Sequence, residues 1–240
     1  MKDIVAFWGY PPPEILQAQI QKYPNAEIID LDIDFGYPSS GVACEAYCKI
    51  ITNIINNAIY LKDQIKVIIA TTGKEKCDAG YFAAVILEEM GLNVIKTRYE
   101  VYPAKPFQTP ICESNLPLKE KINLITEGIY KKQSLNLTKS TPTIGFWGVP
   151  PNDFELLELF PDTTHVFGWV RCVEAGRPGD LELEMLANPD IPTVFFTQTF
   201  CAKMQIAKHL ANKYNGLFID ADDRISRSTK AKVEAFIKLR

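Results

Sequence analysis

Short apolar runs alternate with helical periods along this chain. The runs IVAFWG (4–9), AEIIDLDI (26–33), KVIIATT (66–72) and residues 92–98 have the character of strands buried on both faces. Between them, residues 13–21 open with prolines and an acid, as a helix N-terminus does. Residues 44–61 carry apolar side chains at 47, 50, 51, 54, 55, 58 and 59, a helical period. Residues 80–90 form a further helical stretch that closes at Gly91, a C-cap residue. This alternation predicts a parallel sheet with helices on both faces.

The pattern then occurs a second time. VAFWGYPP (5–12) matches IGFWGVPP (144–151), and KVIIATTG (66–73) matches TVFFTQTF (193–200). Tyr23-Pro24 before AEIIDLDIDFG parallels Phe160-Pro161 before THVFGWVRCV. Strands are expected at TIGFWG, HVFGWVRCV, TVFFTQTF and GLFIDAD, with helices over 153–159, 181–187, 202–214 and 229–239. Residues 101–118 hold four prolines and no period, so they read as a loop or linker, followed by one amphipathic helix over 119–132. The expected fold is α/β: two similar Rossmann-like (flavodoxin-like) lobes with parallel sheets, related by internal duplication. Their spans are 1–105 and 143–240, with a linker and its helix at 106–142. A ligand is expected in the cleft between the lobes.

Composition narrows the partners. With 47% apolar and 23% charged residues, the 240-residue chain has the balance of a soluble globular protein. A net charge of −3 gives no footprint for nucleic acid or an anionic membrane surface. No apolar run reaches the length of a membrane span, and the stretch in MKDIVAFWGYPPP is too short for a signal peptide. A cytoplasmic protein is expected, in which six cysteines are buried, reactive or metal-bound rather than paired.

Ligands of open parallel sheets collect at the carboxyl ends of strands, where the chain turns into the next helix. Cys44 falls at the start of the predicted second helix, and Cys77 in the loop after the third strand. Cys201 directly follows TVFFTQTF, and Cys172 ends HVFGWVRC as the repeat counterpart of Cys44. Helix N-termini favour thiolates, and thiolates are the ligands of iron–sulfur clusters and zinc. Thr71, Thr72, Gly73, Thr197 and Thr199 stand where they could hydrogen-bond cluster sulfurs. Cysteine also packs as a small hydrophobe, which is the reading for Cys48 and Cys112. Cys48, four residues after Cys44, is a substitute ligand at most.

These segments resemble the iron–sulfur subunits of 2-hydroxyacyl-CoA dehydratases and the related benzoyl-CoA reductases. FWGYPPPEIL resembles the opening strand and helix start of that family, CEAY (44–47) its first cluster-cysteine segment, and TTGKEKCD (71–78) its second. FWGVPPNDFELLELF and VRCVEAG resemble parts of its last domain. TFC (199–201) and LFIDADDRISRSTKAKVEAFIKL (217–239) resemble its third cysteine and its terminal strand and helix. The resemblance implies a [4Fe–4S] cluster on Cys44, Cys77 and Cys201, with one iron open and Cys172 as a candidate fourth ligand. It further implies an ATP-dependent activator or other electron donor, a homo- or heterodimer, and a small-molecule substrate such as an acyl-CoA. In that family the cluster passes an electron to a thioester carbonyl, and the resulting ketyl radical makes a hydroxyl leave.

Other signals are weaker. FWGYPP stands where a GxGxxG fingerprint would, and TTGKEK lacks the first glycine and final Ser/Thr of a P-loop, so nucleotide hydrolysis by this chain is not expected. His165 and His209 lack partners at ligand spacing and read as packing or surface residues. Asp30, Asp32 and Asp34 read as solvated loop acids, and Trp8 and Trp147 as lobe-core residues that could also wall the cleft. Lys74, Lys76 and Arg227 are weak candidates for phosphate contacts. Two readings stand beside the enzyme: a non-catalytic cluster carrier or electron relay using all four edge cysteines, and a cleft-type small-molecule binding protein without a cluster.

Overall fold

A computed structural model describes residues 2–44, 46–73, 76–98, 110–221 and 224–240. It divides into two compact units, Met1–Tyr102 and Pro103–Arg240, each holding one four-stranded parallel sheet flanked by helices. The expected α/β architecture of two Rossmann-like lobes is therefore present.

In the first unit the elements run β1 (Ile4–Trp8), α1 (Pro13–Lys22), β2 (Glu27–Asp30), α2 (Lys49–Tyr60), β3 (Ile65–Thr72), α3 (Asp78–Glu89) and β4 (Val94–Arg98). The sheet order is β2-β1-β3-β4, so the chain reverses direction across the sheet between β1 and β3. Side chains alternate across this sheet. Ile4, Ala6, Trp8, Ile68 and Ala70 join Ile51, Ile54, Ile55 and Ala58 of α2 and Ala83, Ala84 and Leu87 of α3 in one apolar cluster. Val5, Phe7, Val67 and Ile69 are buried at the alternate positions, and α1 buries Leu16 while packing on β3.

The second unit begins with α4 (Leu118–Glu127), which packs on the 3-10 helix Phe154–Leu159 and on α5 (Trp169–Glu174). Its strands are β5 (Gly145–Gly148), β6 (His165–Phe167), β7 (Thr193–Gln198) and β8 (Leu217–Ala221), in the order β6-β5-β7-β8. The helices α6 (Leu181–Met185), α7 (Met204–Lys213) and α8 (Arg227–Leu239) complete it. The two sheets have the same strand order, as the sequence repeat implies. Among the described residues, no helix is long and apolar enough to cross a membrane.

Three expected elements differ. The stretch HVFGWVRCV is not one strand: β6 stops at Phe167, Gly168 turns with φ +73°, and α5 takes Trp169–Glu174. Its apolar run suits a buried helix turn as well as a strand, which periodicity alone does not separate over so few residues. The helix expected from residue 44 starts only at Lys49. The third-strand match also slips. Trp8 pairs with Ala70, whereas Trp147 pairs with Phe195, two residues earlier than the sequence match places it. A slip of two keeps every side chain on its face.

That slip explains a glycine. Gly145 takes the place of Ala6, and a Cβ there would lie 2.3 Å from Thr193 Oγ1 and 2.9 Å from a Phe167 ring carbon. We expect Gly145→Ala to destabilise the protein by about 1–3 kcal/mol through overpacking. Thermal or denaturant unfolding of the variant checks this.

Candidate functional site

The carboxyl edge of the first sheet holds the site residues of that unit. After β1, Gly9 turns with φ +65°, and a Cβ on it would come within 3.2 Å of Thr71 Cβ, so the turn requires glycine. Its N–H donates to Asp32 Oδ2 at 2.8 Å, and Asp32 N–H donates to Asp30 Oδ1 at 3.0 Å. Asp30 and Asp32 are thus half-buried, bonded loop anchors rather than solvated acids. Burial, and then the Asp32 charge, holds the Asp30 carboxyl well above its ordinary range. Burial pushes Asp32 up to about 6, against the opposing bond from Gly9.

The loop from β2 to α2 carries Cys44 and is tied down by three buried asparagines of α2. Asn57 Nδ2 donates to the Leu31 and Ile33 carbonyls at 3.1 and 2.7 Å, and Asn53 Nδ2 to the Asp32 carbonyl at 3.2 Å. Asn56 Oδ1 accepts from Ser40 N–H and Oγ–H at 2.9 and 2.7 Å. These residues are absent from the sequence expectations. Three asparagines in the otherwise apolar TNIINNAIY were the available signal, because buried amides need partners.

Cys44 lies exposed in this loop, upstream of α2 rather than at its N-terminus. Cys48 is the N-cap of α2, at 8% exposure, and Cys77 is the exposed N-cap of α3. Neither N-cap makes a side-chain capping bond, and α2 packs directly on α3. Burial raises the Tyr47 hydroxyl pKa, and Cys77, Cys48 and Cys44 raise it further, so all three sulfurs lie within electrostatic reach of one phenol. The structure therefore gathers Cys44 and Cys77 at one edge and adds Cys48 to them. Among the described residues, no three His, Cys, Asp or Glu side chains stand at metal-ligand spacing as placed.

Cys172 and Cys201 belong to the second unit. Cys201, half-buried, follows Phe200, a non-glycine residue at φ 61°, and lies before α7 rather than within it. It comes six residues after Phe195, the partner of Trp147, while Cys77 comes seven after Ala70, the partner of Trp8. Both cysteines follow the third strand of their sheet, Cys77 as N-cap of α3 and Cys201 just ahead of Lys203, the N-cap of α7.

Cys172 sits on α5, not at a strand end, so it is not the counterpart of Cys44. Its thiol is fully buried and donates to the Asp180 carbonyl at 3.8 Å. Burial, then Glu184, pushes its pKa up to about 12. Cys112 is also fully buried, and its thiol is held protonated by burial and the Glu174 carboxylate.

Two of the expected hydroxyl donors are committed elsewhere. Thr71 Oγ1 donates to the Trp8 carbonyl at 2.7 Å and Thr72 Oγ1 to the Thr97 carbonyl at 2.5 Å, as buried hydroxyls take the nearest main-chain acceptor. Thr199 N–H donates to the Ala221 carbonyl at 3.2 Å, and Thr197 Oγ1 is buried with no partner among the described residues. Gly73, exposed at φ +109°, directly follows β3. Lys74 lies outside the described residues. His165 Nε2 lies 3.0 Å from the Ser140 carbonyl, and burial lowers the ring's pKa, so it is a neutral packed donor; His209 is exposed. No family model matches the chain, and no curated protein matches it.

Two outcomes follow from this geometry. A carboxyl whose folded pKa is raised contributes stability below its unfolded value near 3.8, and that contribution is lost as pH rises through about 6. Asp30→Asn keeps an oxygen for Asp32 N–H and removes the repulsion. It should stabilise the protein at pH 7 by roughly 1 kcal/mol, discounted for partial exposure, and flatten the change between pH 4 and 7 seen by thermal unfolding. Asn57→Ala strands two carbonyls, and should cost about 1–3 kcal/mol and speed alkylation of Cys44 by iodoacetamide.

Proposed function

We propose that this chain is an iron–sulfur protein of the 2-hydroxyacyl-CoA dehydratase type. In this reading Cys44, Cys77 and Cys201 hold a [4Fe–4S] cluster with one iron left open. The observation that carries it is the position of Cys77 as N-cap of α3, with Cys44 at the same sheet edge and Cys201 just ahead of the N-cap of α7 in the other unit. The donor set suits the group: Cys44 and Cys77 are exposed thiols and Cys201 is half-buried, while Cys112 and Cys172 are buried and hold their protons. Cys172 is left out of the ligand set for that reason, which speaks against a relay saturated by four thiolates.

When bound, such a cluster supplies low-potential one-electron transfer and, at an iron without a protein thiolate, a Lewis-acid position. The residues of the chain bind and orient. The asparagines of α2 fix the loop of Cys44, and the first turn of α3 presents Cys77 at the positive end of a helix dipole. An ATP-dependent activator or comparable donor delivers the electron, and the substrate is a small molecule of the acyl-CoA class.

Anaerobic reconstitution with iron and sulfide tests the proposal. The brown protein should carry acid-labile sulfide in amounts equal to iron. Alanine at Cys44, Cys77 or Cys201 should each remove most of both, and Cys112→Ala should remove neither. A colourless wild-type protein defeats the reading.

A further inference from the structure

Helices α2 and α3 begin side by side. The strands of the first sheet are all parallel, so each turn from strand to helix leaves at the carboxyl edge. α2 carries the chain from β2 to β3 and α3 carries it from β3 to β4. In the order β2-β1-β3-β4 both crossings run the same way, which sets both helices on one face of the sheet. The cluster that joins Ile51, Ile54 and Ile55 to Ala83, Ala84 and Leu87 lies on that face, and the two helices pack on each other.

A cysteine heads the buried stripe of each helix. In α2 the stripe is Ile51, Ile55 and Ala58, with Cys48 one turn ahead as N-cap. In α3 it is Gly80, Ala84 and Leu87, with Cys77 one turn ahead as N-cap. The spacing is the same in both, at i, i+3, i+7 and i+10, so both cysteines stand on the side that faces the shared cluster. Cys48 belongs to that cluster, and Ala79, two residues after Cys77, packs against it. Burial raises the Tyr47 hydroxyl pKa, and of the sulfurs that raise it further Cys77 comes first and Cys48 second. Packed helices lie about 8–10 Å apart between axes, which brings facing Cα atoms within the roughly 4.4–6.8 Å that a disulfide spans.

We propose that Cys48 and Cys77 are a redox-sensitive pair: a dithiol under reducing conditions, and a disulfide tying α2 to α3 when a small disulfide such as oxidised glutathione is in excess. Cys77 is exposed, so its sulfur attacks the small disulfide first, and its proton leaves with the thiol released. Cys48, buried beside it, then attacks the Cys77 sulfur of the mixed disulfide and releases the second thiol with its own proton. The protein gives up two electrons and two protons, all of which end on the two small thiols. Cys44, four residues before Cys48 and ahead of α2, lies off both stripes and takes no part. The bond removes Cys77 from any ligand set, so on the iron–sulfur reading it blocks cluster assembly; the pair itself does not depend on that reading.

The test uses the full-length, iron-free protein, held folded with oxidised or reduced glutathione, alkylated with iodoacetamide, then digested at Lys and Glu without reduction. Cleavage at Glu45 separates Cys44 from Cys48. Mass spectrometry of the oxidised sample should show the loss of two hydrogen atoms and one linked peptide pair that contains Cys48 and Cys77. Cys44→Ala should keep that link. Adding Cys48→Ser to Cys44→Ala should stop the reaction at a mixed disulfide of Cys77 with glutathione, with an unchanged far-UV circular dichroism spectrum as the check on folding. A link through Cys44, or mixed disulfides with no link between Cys48 and Cys77, overturns the proposal. Because the sample holds no iron, a missing link and a failed cluster reconstitution are separate results.

Discussion

Parallel pairing of one central strand with neighbours on both sides governs each unit: β1 with β2 and β3, β5 with β6 and β7. In an all-parallel sheet, every turn from strand to helix leaves at the carboxyl edge, and the strand order opens a crevice where the chain reverses direction. Gly9, Asp32, Thr71 and Cys77 share that edge in the first unit because the pairing leaves them no other. The chemistry is confined to this rim, and the burial of Val5, Ala6, Phe7, Ile68 and Ile69 beneath it is what holds the rim in register.

The second copy keeps the sheet and changes the rim. Where the first unit has a long loop anchored by Asn53, Asn56 and Asn57, the second turns at Gly168 straight into α5. Trp147 packs on Phe195 and is capped by the Glu184 carbonyl, and Glu184 in turn is paired with Lys203 at 2.5 Å. Trp8 packs in a cluster containing Ala70 and keeps its N–H uncommitted. The residue paired with the tryptophan is small in one sheet (Ala70) and large in the other (Phe195), and the two indoles keep different company. The first unit retains both the accessible thiols and the orphan donor.

Much of this was legible in the residues. Strands β1, β3, β5 and β7 are built on the apolar runs IVAFW, VIIA, FW and VFF, so burial on both faces announces them. The FWG-x-PP repeat announces the shared topology, and Cys77 at a helix start follows from its place after β3. Other features depended on information that a linear pattern lacks. VFGWVRCV is apolar but for Arg171, and the turn at Gly168 separates strand from helix. Thr71 and Thr72 look like ligand donors until their hydroxyls are seen on the Trp8 and Thr97 carbonyls. Asp32 reads as a loop acid because its partner, Gly9, is 23 residues away.

The account stands or falls on whether thiols from these rims hold a cluster with an iron that no cysteine claims. Mössbauer spectroscopy of the anaerobically reconstituted protein addresses that most directly. The account predicts a [4Fe–4S] spectrum in which one iron differs from the rest and responds when a small oxygen ligand is added. Four indistinguishable irons that ignore added ligand, or high-spin ferrous iron without sulfide, would contradict it.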